Sequence, residues 1–208
     1  GVATAAGAPF TPALDIAERC GVRTIERPAE LASDTARADD AARHAVIEME
    51  RDVALPEVGN RPIVILYANC PVRPSGLIAR AIGRLVEGGA DSVQSYCGVG
   101  KYHPWWMARV DPESGEVAPW EGDVLNHGVY RRQDLPPAHV PDGGVLVVTR
   151  DALFGRIPGV PAGPHSFFGV KRLGVINPEG SVIDIDSPED LAVARHRLSL
   201  VSHATPHA

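Results

Sequence analysis

Two aspartates stand one residue apart in an apolar stretch, Asp184 and Asp186 in "SVIDIDSPEDLAVA" (Ser181 to Ala194). On a strand, successive side chains point to opposite faces, so the two carboxylates share one face while Ile183 and Ile185 take the other. Their Cα atoms would lie about 6.6 Å apart at about 3.3 Å per residue. Two negative charges that close repel unless something positive joins them. Magnesium suits such a pair, because it accepts one or two carboxylates and completes its shell with water and substrate phosphate. The same residues also read as a solvent-facing strand end that runs into a helix, with Ser187 as N-cap and Pro188 in the first helical position. On these residues alone both readings stay open.

Three further stretches combine charge with loop chemistry. "ERPAELASDTA" (Glu26 to Ala36) follows a short strand and places Arg27 and Asp34 on a loop. "ILYANCPVRP" puts Tyr67, Asn69 and Arg73 beyond an apolar β-branched run, and "YRRQDLPPAHVPDGG" presents Arg131, Arg132 and Gln133 ahead of chain stiffened by prolines. Open α/β sheets bind ligands in loops at the carboxyl ends of their strands, so the three can converge on one cleft. Each also has a plainer reading. Arg132 can be a surface partner of Asp134, Arg131 a surface residue, Arg27 a loop charge beside Glu26, and Arg73 a structural ion-pair partner. Trp105 and Trp106 in "HPWWM" suit packing or an interface. The histidines at 103, 127, 139 and 165 lack metal-binding spacing, so no zinc is expected.

The elements that must position these residues follow from periodicity. A helix is predicted from Pro12 to Cys20, closed by Gly21, then a strand from Val22 to Ile25. A helix from about Asp39 to Glu50 carries Ala42, Val46 and Met49 on one face. "PIVILYA" (Pro62 to Ala68) reads as a central strand covered on both faces. A helix from Leu77 to Glu87, stopped by Gly88 and Gly89, leads to the strand "DSVQSYC", which makes a βαβ unit. Residues 98–141 break the pattern with prolines, all three tryptophans and a hairpin at "DPESGEV". "GGVLVVT" restores a buried strand, "DALF" a helical turn, and a strand near Val170 to Ile176 precedes the aspartates and a final helix from Pro188 to Leu200. The opening "GVATAAGAPF" takes no assignment.

The 208 residues, 44% hydrophobic and 22% charged, fit a globular chain with one main domain over residues 1–200, an arm at 98–141 and a flexible tail at 201–208. A net charge of −6 with scattered basic residues argues against a nucleic-acid partner. The apolar runs are too short to span a membrane and no signal peptide opens the chain, so a cytoplasmic location is expected. Cys20, Cys70 and Cys97 are odd in number and form no CxxC, so buried free thiols are expected.

Taken in order, "RPAELASDTA", "CPVRP" after an apolar strand, "ADSVQS", "HPWWM", "RRQDLPP" with "VPDGG", and "IDIDSPEDL" resemble the acylneuraminate cytidylyltransferase family, over about Leu14 to Ala194. That resemblance implies an α/β, Rossmann-like nucleotide-diphospho-sugar transferase fold: a mostly parallel central sheet, helices on both faces and a small dimerisation arm. It implies a reaction in which the anomeric hydroxyl of a keto-sugar acid, sialic or a related nonulosonic acid, attacks the α-phosphate of CTP and releases pyrophosphate. Asp184 and Asp186 then become the catalytic Mg²⁺ ligands, and Arg27, Asp34, Thr35 and Ala36 hold the nucleotide. Arg132 pairs with the sugar carboxylate, with Gln133 and Tyr67 also on the substrate. A homodimer through residues 98–141 is implied as well.

The chain departs from the family at its opening, where members carry a strand and a glycine- and basic-rich loop around the triphosphate. "GVATAAGAPF" has no basic residue, so that strand, loop and helix are expected to be absent, either through truncation or in a homologue that only binds its nucleotide or sugar acid. Tyr67 stands where the family strand usually ends in glutamine, as in the pseudaminic-type branch, and Asp142 where many members have asparagine. A glycosyltransferase with a metal-binding aspartate pair is a third reading.

Overall fold

A computed structural model of the chain describes residues 2–6, 11–33, 35–54 and 56–203. In chain order the elements are β1 (Val2–Ala6), α1 (Thr11–Arg19), β2 (Arg23–Arg27), α2 (Ala38–Asp52), β3 (Pro62–Ile65), α3 (Leu77–Gly88), β4 (Ser92–Gly98), β5 (Ala108–Val110), β6 (Val117–Pro119), β7 (His139–Thr149), α4 (Arg150–Leu153), β8 (Arg172–Asn177) and α5 (Pro188–His203). β1 pairs in parallel with β2, β5 antiparallel with β6, and a four-stranded sheet has the order β3-β7-β4-β8. The alternation of strands and helices is the α/β class read from the sequence.

Local chemistry explains most boundaries. The unbroken run Val145 to Val148 in β7 is at most 1% exposed, as expected of a strand covered on both faces. α3 buries Leu77, Ala81 and Leu85 at helical spacing, leaving Val86 out. The "DPESGEV" hairpin forms as β5–β6, with the Asp111 carboxylate accepting from the N–H groups of Glu113 and Ser114.

Four expectations change. The opening residues, left unassigned, include β1, so a strand–helix–strand unit stands at the start; residues 7–10 lie outside the described residues. "PIVILYA" is shorter than expected and is an outer strand of its sheet, half-buried over Pro62–Ile65. Apolar β-branched composition does not separate inner from outer strands, and Pro62, lacking an N–H, is tolerated at the first position of an outer one. Cys20 is exposed and Cys97 half-buried, and only Cys70 is buried. Val201, Ser202 and His203, placed in the tail, extend α5, and 204–208 lie outside the described residues.

The chain packs as two compact units. The first comprises Gly1–Ile65, Gly88–Ser92 and Val147–Arg172, and the second Leu66–Glu87, Val93–Leu146 and Leu173–Ala208. In the first, α2 buries Asp39 and Glu50 beside Ala41 and Val46, where Ala42, Val46 and Met49 were expected. The acids are tolerated because arginines meet them: Arg37 and Arg43 on Asp39, Arg150 and Arg61 on Glu50. In the second, Leu77, Ala81, Leu85, Val93, Val145, Leu146 and Ile183 form the core. Among the described residues no helix is long and apolar enough to cross a membrane.

Candidate active site

The aspartate stretch lies in extended chain but not in a strand. A single antiparallel bridge joins Ile183 to Val72, with the Ile183 N–H donating to the Val72 carbonyl (3.3 Å) and the Ile185 N–H to the Asn69 carbonyl (2.9 Å). The facing segment contains Pro71 and Pro74, which have no N–H to donate, so no ladder can continue. The period-two alternation survives without it: Ile183 is buried and Ile185 half-buried, while Asp184 and Asp186 are exposed. The expected carboxylate pair therefore shares one side of the chain.

The loop beneath this pair is closed by Arg73. Its guanidinium donates to the carbonyls of Gly144 (2.6 Å) and Tyr67 (2.7 Å), so it clamps two backbone segments and is not the ion-pair partner expected from sequence. The Cys70 thiol is fully buried, and it and the Asp184 carboxylate lie against the same glycine turn. Burial first, and the Asp184 carboxylate next, push this thiol up to about 11. It is protonated at neutral pH.

Gly143 and Gly144 make the close approach possible. Gly143 has φ +72°, and a Cβ there would lie 2.9 Å from Cys70 Sγ and 3.6 Å from Asp184 Oδ2. A Cβ on Gly144 would meet Val182, Leu77 and Ser95 at 2.9 to 3.0 Å. Asp142, just before them, accepts on Oδ1 from the Ser95 hydroxyl (2.5 Å) and the Gly144 N–H (3.0 Å), and on Oδ2 from the Asn177 amide (2.7 Å). Beyond the pair, the N–H groups of Asp186 and Ser187 donate to Asp190 while Ser187 Oγ accepts from the Asp190 N–H. This reciprocal cap starts α5, as Ser187 and Pro188 led us to expect, and these bonds hold the Asp190 carboxyl below the usual range, the Ser187 hydroxyl contributing most.

Among the described residues no lysine or arginine pairs with Asp184 or Asp186. No group of three or more His, Cys, Asp or Glu gathers as a metal cage there or elsewhere among them. Two exposed carboxylates without a third ligand fit magnesium, which leaves most of its shell to water and phosphate.

The other candidates fall as follows. Arg132 is exposed, 3.6 Å from Glu179, and Arg131 instead of Arg132 takes Asp134, at 2.6 and 3.0 Å. Gln133 is exposed beside it, and Tyr67 is half-buried in the loop that Arg73 clamps. Arg27 ends β2, its guanidinium reaching the Leu31 carbonyl (3.4 Å) and its Nε buried without a partner. Thr35 is exposed with its hydroxyl 3.3 Å from that of Ser33, the Ala36 N–H donates to the Ser33 carbonyl, and Asp34 lies outside the described residues. Arg27, Thr35 and Ala36 belong to the first unit; Tyr67, Arg132, Gln133, Asp184 and Asp186 belong to the second. Trp105 stacks on His127 and Trp106 donates to the Val129 carbonyl, so both pack within the arm.

The sequence reading expected Cys70 as a buried thiol but gave no site role to Cys70, Ser95 or Asn177. The available signal was polar residues inside or ending apolar strands, "SVQSYC" and "RLGVIN", together with the glycine pair after Asp142.

The fold is that of cytidylyltransferases of the nucleotide-diphospho-sugar transferase type. The chain matches a 4-diphosphocytidyl-2C-methyl-D-erythritol synthase with a TM-score of 0.59 at 15% identity, covering 95% of this chain and 79% of that one. It matches a CMP:2-keto-3-deoxy-manno-octonic acid synthetase, solved in complex with CTP, with a TM-score of 0.54 at 11% identity, covering 96% and 80%. In sequence it resembles N-acylneuraminate cytidylyltransferases: it is 24% identical over 170 residues to that of Streptococcus agalactiae serotype V and 23% identical to that of serotype III. Each match covers 82% of this chain and 36% of the relative, so the chain spans about a third of the length of these relatives. No protein-family model matches.

Proposed function

We propose that the protein is a cytidylyltransferase that transfers CMP from CTP to the anomeric hydroxyl of a keto-sugar acid, sialic or a related nonulosonic acid. The hydroxyl oxygen bonds to the α-phosphorus, the bond from that phosphorus to the bridging oxygen breaks, pyrophosphate leaves, and the hydroxyl proton passes to solvent. The observation that carries this reading is the exposed Asp184–Asp186 pair, free of arginine or lysine partners among the described residues, in a chain with a cytidylyltransferase fold. Asp184 and Asp186 would hold Mg²⁺, which when bound offsets charge developing on the phosphates.

The remaining assignments belong to the same proposal. Arg132, exposed and 3.6 Å from Glu179, is available to a substrate carboxylate, for which a planar guanidinium is suited. Gln133 and Tyr67 are assigned to the sugar acid, and Arg27, Asp34, Thr35 and Ala36 to the nucleotide. The arm at 98–141 exposes Tyr102, Val110, Trp120, Val124 and Tyr130, which supports a homodimer formed through it. The reading places the enzyme in the cytoplasm.

The test is Mg²⁺-dependent pyrophosphate release from CTP with sialic, pseudaminic, legionaminic and deoxyoctulosonic acids, comparing the chain with Asp186→Ala. Release with one acid that the variant abolishes is the expected result. No release with any acid, alongside measurable CTP or sugar-acid binding, would replace the proposal with a binding homologue.

A further inference from the structure

The hydrogen bonds of the second unit include a chain with a fixed direction. Arg80, exposed on α3, donates from Nη2 to Asn177 Oδ1 (2.9 Å). Asn177, 2% exposed, passes its own amide N–H to Asp142 Oδ2 (2.7 Å). Asp142 Oδ1 receives the hydroxyl of the fully buried Ser95 and the Gly144 N–H. A guanidinium can only donate and a carboxylate can only accept, so the asparagine between them has one possible orientation. At its acceptor end the chain grips the Gly143–Gly144 turn, and Gly143 lies against Cys70 and Asp184.

We propose that Asp142 is a positioning residue for Asp184: the Arg80–Asn177–Asp142 relay holds the Gly143 turn against Cys70 and the Asp184 carboxylate, and so fixes where that carboxylate can lie. Asp142 has taken both bonds on Oδ1 and one on Oδ2 from protein donors, so it acts through the turn and not by touching substrate. The direction of the relay makes an aspartate necessary here. With Asp142→Asn, Ser95 and Gly144 can keep their acceptor, but the new amide N–H faces the Asn177 N–H. Turning Asn177 over only moves the conflict to Arg80, where two donors again meet. Arg80→Gln removes it, because a glutamine can accept from the turned Asn177; alone, it can still donate to Asn177 as Arg80 does.

This inference rests on the reading of Asp184 as a metal ligand, and its test separates the two. The wild-type chain, Asp142→Asn, Arg80→Gln and the double variant are labelled with a thiol reagent under native conditions, and Cys70 is followed by peptide mapping, apart from Cys20 and Cys97. Asp142→Asn is expected to speed Cys70 labelling about tenfold or more, the size set by one unsatisfied buried hydrogen-bonding group acting through local opening. Arg80→Gln alone is expected to stay near wild type and the double variant to return towards it. Unchanged Cys70 labelling in Asp142→Asn, or a double variant labelled as fast as Asp142→Asn, would overturn the relay. Mn²⁺ binding by the same four proteins, read from the free-ion paramagnetic signal with Asp184→Asn as the reference for loss, adds a readout that stability alone would not move. Weaker Mn²⁺ binding in Asp142→Asn, recovered in the double variant, supports positioning of Asp184. Intact binding there overturns positioning of Asp184, and no binding by the wild type overturns the metal reading while the labelling still decides the relay.

Discussion

Glu50 and the Asp184–Asp186 pair are treated in opposite ways by the same chain. Glu50, on α2 of the first unit, has both oxygens taken by Arg150, at 2.8 Å each, and a further bond from Arg61 at 2.6 Å. Arg150 is 2% exposed, and Arg150 above all holds the Glu50 carboxyl below its usual range. In the second unit, among the described residues, no arginine or lysine pairs with Asp184 or Asp186, and Asp186 donates its backbone N–H to Asp190. The nearby cation, Arg73, is occupied by carbonyls. A carboxylate needed for packing is neutralised where it sits, whereas one left without a cation in an exposed site is free to recruit one from solution. That contrast, more than acidity itself, supports the proposed role of Asp184 and Asp186.

Substitutions at the two sites should therefore separate. Asp184→Ala is expected to lower the CMP-transfer rate by about 10²-fold or more, the scale of losing metal-held charge stabilisation, while the urea midpoint stays at or above the wild-type value. A large fall in stability would mean that the pair is structural. Glu50→Gln should do the reverse, costing about 3 kcal/mol in urea unfolding, because Arg150 stays buried after losing its bidentate partner, with the exposed Glu57 and the half-exposed Asp151 as remaining acids nearby.

The pH dependence follows the same division. A depressed Glu50 value stabilises the fold above the unfolded carboxyl value, about 4.3, and that contribution is lost as pH falls through the lower folded value. Acid unfolding of Glu50→Gln should thus show a shallower slope below about pH 5 than wild type, and equal slopes would remove Glu50 from the account. A smaller effect is expected at Gly143→Ala, about 1–3 kcal/mol, from left-handed backbone and the 2.9 Å approach to Cys70 Sγ. Smallest is Ser187→Ala, about 1 kcal/mol through the lost cap of α5, measured as a shift in thermal midpoint.

How much of this could be read in advance depended on whether the signal was local. The α5 cap was legible because Ser187, Pro188 and Asp190 are neighbours whose bonds close within one turn. The face shared by Asp184 and Asp186 was legible because extended chain alternates whatever it pairs with. The strand expected around them was not formed, since pairing depends on a distant segment that happens to contain Pro71 and Pro74. Arg131 and Arg132 show the same limit: adjacent, alike in type, and separated only by which one reaches Asp134.

The sequence by itself determined the α/β class, the buried β7 run, the hairpin at Asp111 to Val117, and the carboxylate pair with its capped helix, because each rests on spacing within a few residues. Tertiary structure alone decided that β3 is an outer strand, that Asp39 and Glu50 could be buried on α2, and that Arg80, Asn177 and Asp142 form one hydrogen-bonded path to the Gly143–Gly144 turn. Those outcomes rest on contacts between residues up to about a hundred positions apart, such as Glu50 with Arg150 and Arg80 with Asn177. No periodicity records them, because the burial and hydrogen bonding that fix each side chain come from partners that the local chain does not contain.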